Sequence, residues 1–245
     1  MKAKNHAELP PNKDISLLRK RLVKWFSENG RDYPWRKTRD AFKVLIAEMM
    51  LRRTKADQVR EVYSSLFARF PDAHAMSQAQ EEELEQILYP LGLRWRTSAF
   101  GYVAREIKEK YDCRVPDTRD ELQALPGIGD YVAGAVLSIA YGKTEWMVDS
   151  NVVRVFRRYF GISTSREGRR DKHIINIAKV YASDPDVRVA NLAILDFAAL
   201  VCLPKNPACT TCCLRSNCKS TTGIYARTGA ETRRRQPPVN SKLGP

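Results

Sequence analysis

The chain has 245 residues, and 42 lysines and arginines against 28 aspartates and glutamates give it a formal net charge of +14. This basic excess favours a polyanionic partner, nucleic acid before a membrane surface, although a solvated basic surface would have the same composition. No run of about 18 apolar residues is present, and the N-terminal segment lacks the apolar centre of a secretory signal. We therefore expect a cytoplasmic protein with no membrane partner.

Apolar residues recur at helical spacing along most of the chain, and no segment has the alternating pattern of a β-strand. Residues 1–13 are expected to form a disordered tail, and residues 220–245 a flexible basic tail. Helices are predicted over residues 14–29, 40–53, 56–70, 79–89, 99–111, 150–160, 172–182 and 186–200. The chain is therefore predicted to be all-α.

Glu48 is unusual because it lies inside an apolar run, residues 46–51, of the second predicted helix. A carboxylate among such neighbours either turns to solvent or is buried with a raised pKa for a chemical task, and spacing does not decide between them. Arg52, Arg53 and Thr54 follow at the predicted helix end. Basic side chains there stabilise the helix dipole or contact phosphates and bases. Trp35 is expected to pack on the core.

The turn at residues 90–96 is followed by basic and aromatic side chains, and it includes Leu93 and Arg94. Arginine and tryptophan on such a turn can stack on bases or wedge between them. They can equally close a helix onto the core.

Residues 125–129 read L-P-G-I-G and are predicted to form a short hairpin, followed by a helix that ends near Gly142. Gly127 and Gly129 allow a tight turn, and the amides of a following helix suit a phosphate. A G-x-G pattern alone mostly marks an ordinary turn. Tyr131 comes directly after the hairpin. Asp149 precedes the next predicted helix, so it is either the N-cap of that helix or a reactive carboxylate.

Five of the six cysteines lie within residues 202–218, with the spacing C-x6-C-x2-C-x5-C plus one adjacent cysteine. Such crowding in a cytosolic chain indicates metal binding rather than a disulfide framework. Four thiolates this close can hold zinc or a [4Fe–4S] cluster. Cys213 creates an alternative register that we do not favour, and Cys113 is isolated. The predicted metal ligands are Cys202, Cys209, Cys212 and Cys218.

The hairpin, Asp149 and the cysteine spacing together resemble the helix-hairpin-helix and Gly-Pro-Asp superfamily of base-excision DNA glycosylases, in its iron–sulfur, endonuclease III and MutY-like form. The similarity covers residues 17–218. It implies a six-helix barrel over residues 41–145, and a [4Fe–4S] cluster domain from residues 14–40 and 146–219. The active cleft would lie between the two domains.

The resemblance also implies an activity and a partner. Members of this superfamily flip a nucleotide out of the duplex and break its N-glycosidic bond. The implied partner is double-stranded DNA that contains a mismatch, bound by a monomer at the nucleoid of a bacterial or archaeal cell.

The resemblance further implies roles for three residues. The position of Tyr131 is a lysine in the endonuclease III branch, where it attacks the sugar. A tyrosine is a poor replacement for an amine, so a monofunctional enzyme with weak or no lyase activity is implied. Asp149 would stabilise the oxocarbenium-like sugar and position or deprotonate water. Glu48 would reach the flipped base, and Tyr131 would contact it.

The choice of base depends on other segments. The sequence L-R-R-T at residues 51–54 resembles the mismatch thymine glycosylases, whereas the adenine branch usually has L-Q-Q-T there. Leu93 and Arg94 also depart from the adenine-branch turn. Only 27 residues follow Cys218, too few for the 8-oxoguanine-reading domain of that branch. Removal of thymine and uracil opposite guanine is therefore favoured over two alternatives, an adenine glycosylase and a non-catalytic iron–sulfur DNA-binding module.

The resemblance implies DNA contacts as well. Arg53 or Leu93 would fill the gap left in the base stack, and the amides of Gly127 and Gly129 would hold a backbone phosphate. The implied DNA-binding set is Arg52, Arg53, Thr54, Leu93, Arg94, Gly127 and Gly129.

Overall fold

The computed structural model describes residues 9–92, 97–165 and 167–221. These residues form α-helices joined by short turns and contain no strand, so the all-α prediction is confirmed. In chain order the helices are α1 (Asn12–Asn29), α2 (Ala41–Met50), α3 (Ala56–Arg69), α4 (Ala73–Ser77), α5 (Glu81–Leu88), α6 (Thr97–Tyr111), α7 (Arg119–Ala124), α8 (Asp130–Ala135), α9 (Ser150–Phe160), α10 (Lys172–Ala182) and α11 (Val187–Leu200).

Local signals explain where several helices begin and end. The side chains of Asp149, Asp171 and Asp186 accept backbone N–H hydrogen bonds at the starts of α9, α10 and α11. An aspartate at this position satisfies amides that have no partner within the helix. Gly161 ends α9 with φ +67°, a left-handed conformation that glycine adopts without strain. These boundaries agree with the predicted ones to within a residue.

Four predicted boundaries were wrong by two or three residues, among them the starts of α5 at Glu81 and of α6 at Thr97, and one helix was missed. The first helix begins at Asn12, directly after Pro11, rather than at residue 14. The second ends at Met50 rather than at residue 53, so Arg52, Arg53 and Thr54 lie in a turn. Arg53 has φ +63°, which a right-handed helix cannot contain. The five-residue helix α4 was too short to show an apolar period.

Buried side chains form two hydrophobic clusters. The first is built mainly from α2 to α8, and Trp35 packs in it with its ring stacked on Tyr33 at a centroid distance of 4.7 Å. The second is built mainly from α1, α9, α10 and α11. We propose that these clusters are the cores of the two predicted domains. None of the described helices is both long and apolar enough to cross a lipid bilayer.

A close backbone approach connects the two clusters beside the hairpin helix. A Cβ atom added to Gly134 of α8 would lie 2.0 Å from the carbonyl oxygen of Trp146. Arg119 donates a hydrogen bond of 3.1 Å to the same carbonyl and lies over the Trp146 ring. After α8 the chain forms a π-helical turn, Val136–Ala140, and then returns toward α9. The contact at Gly134 therefore helps to position the segment that leads to Asp149.

Candidate active site

Glu48 lies in α2 with only 4% of its surface exposed, so the alternative of a solvent-facing carboxylate is excluded. Burial raises the pKa of Glu48 to about 7, although the charge of Arg36 and a hydrogen bond from Tyr131 oppose this rise. The charge of Asp149 adds to it. The Oε2 atom has no hydrogen-bond partner within the described part of the chain. One oxygen of this carboxyl group is therefore buried without a hydrogen bond from the described residues, an arrangement that costs free energy unless a bound molecule supplies the missing donor or acceptor.

Tyr131 lies in the first turn of α8 and is half-buried against the first hydrophobic cluster. Burial raises the pKa of Tyr131 well above its ordinary value, and the negative charges of Glu48 and Asp149 act in the same direction. The side chain is therefore a neutral phenol that can donate a hydrogen bond. Arg36, Glu48, Tyr131 and Asp149 come from four separate segments, and we refer to them together as the candidate cluster.

Asp149 is the N-cap of α9, as one of the two predictions for it stated. Its Oδ1 atom accepts backbone N–H bonds from Asn151 at 2.8 Å and from Val152 at 2.7 Å. Its Oδ2 atom accepts a bond of 2.6 Å from Nδ2 of Asn151. Arg154 donates to Asn151 Oδ1 at 2.8 Å and to the Cys202 carbonyl at 2.7 Å. The carboxylate is thus held in one orientation by a chain of bonds that reaches the cysteine loop.

Arg36 and Asp196 were not among the predicted site residues. Asp196 of α11 is completely buried and receives two bonds from the Arg36 guanidinium, at 2.6 and 2.7 Å. Arg31 adds a side-chain bond of 2.8 Å and a backbone bond of 2.7 Å. The available sequence signal was an aspartate inside the apolar pattern of α11, as with Glu48 in α2. The partners of Asp196 could not be predicted from the sequence because they lie 160 and 165 residues away in the chain.

The hairpin at residues 125–129 contains a β-turn in which Ile128 N–H bonds to the Leu125 carbonyl at 3.2 Å. Pro126 and the positive φ of Gly127, +74°, suit the two central positions of a type II turn. Arg52 donates a bond of 2.8 Å to the Gly127 carbonyl, so the turn after α2 supports the hairpin. A Cβ added to Gly129 would meet nothing within 4 Å, which leaves its backbone open to an approaching ligand.

The remaining predicted DNA contacts lie beside this hairpin or outside the described residues. Arg53 is exposed in the turn after α2, whereas the Thr54 hydroxyl is buried without a hydrogen-bond partner among the described residues. Leu93 and Arg94 fall outside the described ranges. Their proposed contacts therefore remain predictions.

The four predicted metal ligands lie around one small cavity of about 40 Å³. Apolar side chains of α9 and α11 line the rest of it, among them Val155 and Phe197. Cys213 is exposed and is not part of the lining, and Cys113 packs on the first hydrophobic cluster. The cavity residues from the predicted set are Cys202, Cys209, Cys212 and Cys218.

Two observations show how this cysteine set fits a metal centre. Burial raises the pKa of Cys212 to about 11, so its thiolate needs a bound cation to be stable. Donors also face the sulfurs, since Leu214 N–H lies 3.4 Å from Cys212 Sγ and Arg158 Nη1 lies 3.5 Å from Cys202 Sγ. However, the described residues contain no group of three or more cysteine, histidine, aspartate or glutamate side chains placed closely enough to hold a metal ion. The donor set fits, but the ligands are not pre-arranged.

Comparison with known proteins connects this geometry to a family. Residues 46–179 match a family model described as the HhH-GPD superfamily of base excision DNA repair proteins. A thymine/uracil-DNA glycosylase of Pyrobaculum aerophilum is 36% identical over 85% of this chain and 93% of its own length. An adenine DNA glycosylase of Rattus norvegicus is 31% identical over 84% of this chain but only 42% of its own length.

Among solved structures, a thermostable thymine-DNA glycosylase aligns with a TM-score of 0.81 and 32% sequence identity. The alignment covers 86% of this chain and 97% of the other. The helical architecture is therefore shared across almost the whole of that protein.

Proposed function

Since this chain belongs to the HhH-GPD superfamily of base excision DNA repair proteins, we propose that it is a monofunctional DNA glycosylase. Its substrates are thymine and uracil mispaired with guanine in double-stranded DNA. The observation that carries this proposal is the buried Glu48, whose Oε2 atom has no hydrogen-bond partner among the described residues, and on whose pKa Tyr131 and Asp149 both act. The enzyme acts as a monomer at the nucleoid, and the +14 charge supports binding to DNA.

Glu48 and Asp149 of the candidate cluster have separate parts in the reaction. The pyrimidine leaves with the electron pair of the bond between sugar C1′ and the base nitrogen. Protonated Glu48 donates a proton to the departing base, for which a pKa near 7 is well suited. Asp149 stabilises the positive charge on the sugar and accepts the proton of the water that attacks C1′.

Tyr131 explains why the reaction stops at hydrolysis. A phenol has no amine nitrogen, so Tyr131 cannot form the Schiff base that a lysine would form with the sugar. Instead, Tyr131 keeps Glu48 in place through their hydrogen bond and borders the pocket for the flipped base. The product is an intact strand with an abasic site.

DNA binding is assigned to the surface around the hairpin. The open backbone at Gly129 and the turn at Gly127 are proposed to hold a phosphate, with Arg52 supporting the turn. Exposed Arg53 is proposed to enter the base stack next to the guanine, whose edge an arginine can read. Thr54, Leu93 and Arg94 complete the proposed contact set.

A [4Fe–4S] cluster is proposed for the cysteine loop. Cys202, Cys209, Cys212 and Cys218 would hold it, and N–H donors from Leu214 and Arg158 would face the sulfurs. When bound, the cluster would fix the fold of the loop. A brown protein that contains iron supports this assignment, and a colourless protein that contains zinc contradicts it.

The activity test uses metal-loaded protein and duplexes with one defined mispair. We expect release of thymine and uracil from G·T and G·U duplexes, with strand breakage only after alkali. Replacing Asp149 with asparagine should remove most turnover and keep duplex binding, because the carboxylate charge is lost while its size is retained.

Two other functions give different results in the same test. An adenine glycosylase, a function suggested by the 31% identity to the Rattus norvegicus protein, would release adenine from A·G or A·8-oxoguanine duplexes and leave G·T intact. A non-catalytic module would bind duplexes and release no base from any of them.

A further inference from the structure

The buried carboxylate of Asp196 connects the second hydrophobic cluster to the candidate cluster. Its side chain is fully buried and bonds to both terminal nitrogens of Arg36. Arg31 bonds to the same carboxylate through its side chain and its backbone N–H. Burial alone would raise the pKa of Asp196, but the two guanidiniums outweigh it and hold that pKa below its ordinary value. A single anion therefore faces two cations.

The same helix also holds the backbone of Arg36. Arg188 of α11 donates one hydrogen bond to the Arg36 carbonyl and another, of 2.9 Å, to the Ile139 carbonyl. The Arg36 side chain is only 10% exposed. Two residues of α11, Arg188 and Asp196, thus fix both the main chain and the guanidinium of Arg36.

Arg36 in turn acts on Glu48. The charged and titratable groups that affect Glu48 are Arg36, Tyr131 and Asp149, and Arg36 is the cation among them. The Arg36 guanidinium bonds to the carboxylate of Asp196, while its charge acts on the carboxyl group of Glu48. The Asp196 bonds consequently restrict how strongly Arg36 can favour the ionised form of Glu48.

We propose that Asp196 is a positioning residue that keeps Arg36 away from an ion pair with Glu48, so that Glu48 retains a transferable proton. This inference rests on the proposed function, because it concerns the proton that Glu48 delivers to the leaving base. Asp196 does not touch the substrate and acts only through Arg36.

Substitution of Asp196 and substitution of Arg31 should shift the pKa of Glu48 in opposite directions. Asp196→Asn removes the competing anion, so the charge of Arg36 should lower the pKa of Glu48 by on the order of one unit. Arg31→Gln leaves Asp196 to Arg36 alone, so the pKa of Glu48 should rise. Arg31 is 27% exposed, and its replacement should be tolerated even if the asparagine variant does not fold.

The first measurement is single-turnover excision of thymine from a G·T duplex as a function of pH. The pH above which the rate declines should move down in Asp196→Asn and up in Arg31→Gln. Asp184→Asn is the matched control, since it breaks the 2.7 Å pair between Arg19 and Asp184 and leaves Arg36 untouched. Equal profiles in all four proteins, or shifts of the same sign, would overturn the inference.

The second measurement does not depend on catalysis. The pH dependence of urea unfolding is compared for Asp196→Asn and Arg31→Gln, each alone and combined with Glu48→Gln. Between pH 5 and pH 8, above the range in which Asp196 itself titrates, each shift should disappear when Glu48 is absent, and persistence in the combined variants would contradict the proposal. A wild-type protein without excision activity would refute the proposed function, whereas unfolding shifts that require Glu48 would still support the link from Asp196 to Glu48.

Discussion

At the scale of single residues, the candidate site consists of ionisable side chains in unusual surroundings. Glu48 is buried and only partly compensated, and Tyr131 is kept neutral by its surroundings. Asp149 instead accepts three hydrogen bonds from the start of α9. Two carboxyl groups in one site thus have different environments, which suits one as the acid and the other as the anion.

Glu48→Gln is expected to stabilise the protein in a pH-dependent way. The native pKa of Glu48 is raised from 4.5 to about 7, so the native state binds more protons than the unfolded chain between these pH values. The contribution of Glu48 to the free energy of unfolding is therefore fully present below pH 4.5. It is lost as the pH rises through about 7, by up to about 3 kcal/mol. The glutamine variant avoids this loss because its side chain stays neutral.

Urea unfolding of both proteins at pH 5 and pH 8 measures the effect. The variant should be the more stable protein at pH 8, and the difference should be much smaller at pH 5. A difference that does not change with pH would contradict the burial of an ionisable Glu48. Excision should fall in the same variant, because glutamine cannot donate the required proton.

At the scale of elements, the site depends on how α8 and α9 are placed. The hairpin supplies the start of α8, and the chain after Val136–Ala140 returns to present Asp149 at the start of α9. This return passes Gly134 so closely that no side chain fits between the two backbones. A glycine in a helix usually lowers its stability, so its presence here has a packing reason.

Gly134→Ala tests that packing. The added methyl group would lie 2.0 Å from the Trp146 carbonyl oxygen, and both backbones would have to separate. We expect a loss of about 2–3 kcal/mol in the free energy of unfolding. Gly129→Ala is the stability control, since nothing lies within 4 Å of its added Cβ, and it should change stability by less than about 1 kcal/mol. Equal urea midpoints for the two variants would be inconsistent with this contact.

At the scale of the whole molecule, the site lies where the two hydrophobic clusters meet. Arg188, Asn191 and Asp196 extend from α11 of the second cluster and bond to Arg36, Glu145 and Ile139 in or beside the first. The geometry of the candidate site is therefore coupled to the relative position of the two clusters.

Duplex binding should weaken steeply with salt if the net charge of +14 acts through phosphates. A protein that contacts about six phosphates loses about a thousandfold in affinity between 50 and 200 mM salt, because bound counterions are released. Binding of the Asp149→Asn variant to a G·T duplex, followed by fluorescence anisotropy, measures this slope without turnover. An affinity that is independent of salt would contradict a phosphate-dominated interface.

Much of the helical framework was predictable because its signals are local. Asp149, Asp171 and Asp186 cap helices through amides two or three residues away, and Gly161 ends α9 through its own φ angle. The end of α2 was not predictable, since Arg53 adopts a left-handed conformation that its residue type disfavours.

The sequence by itself predicted the all-α class and the hairpin, which the structure confirms, because each depends on residue types at short, fixed spacing. The same short spacing brings four cysteines to the lining of one cavity. Only the tertiary structure decided that Glu48 is buried, that Asp149 is held through Asn151, and that Asp196 binds Arg36. These features arise from pairs that are distant in the chain, 160 residues in the last case. A carboxyl group's pKa depends on such neighbours and on its removal from water, and neither is encoded in local spacing.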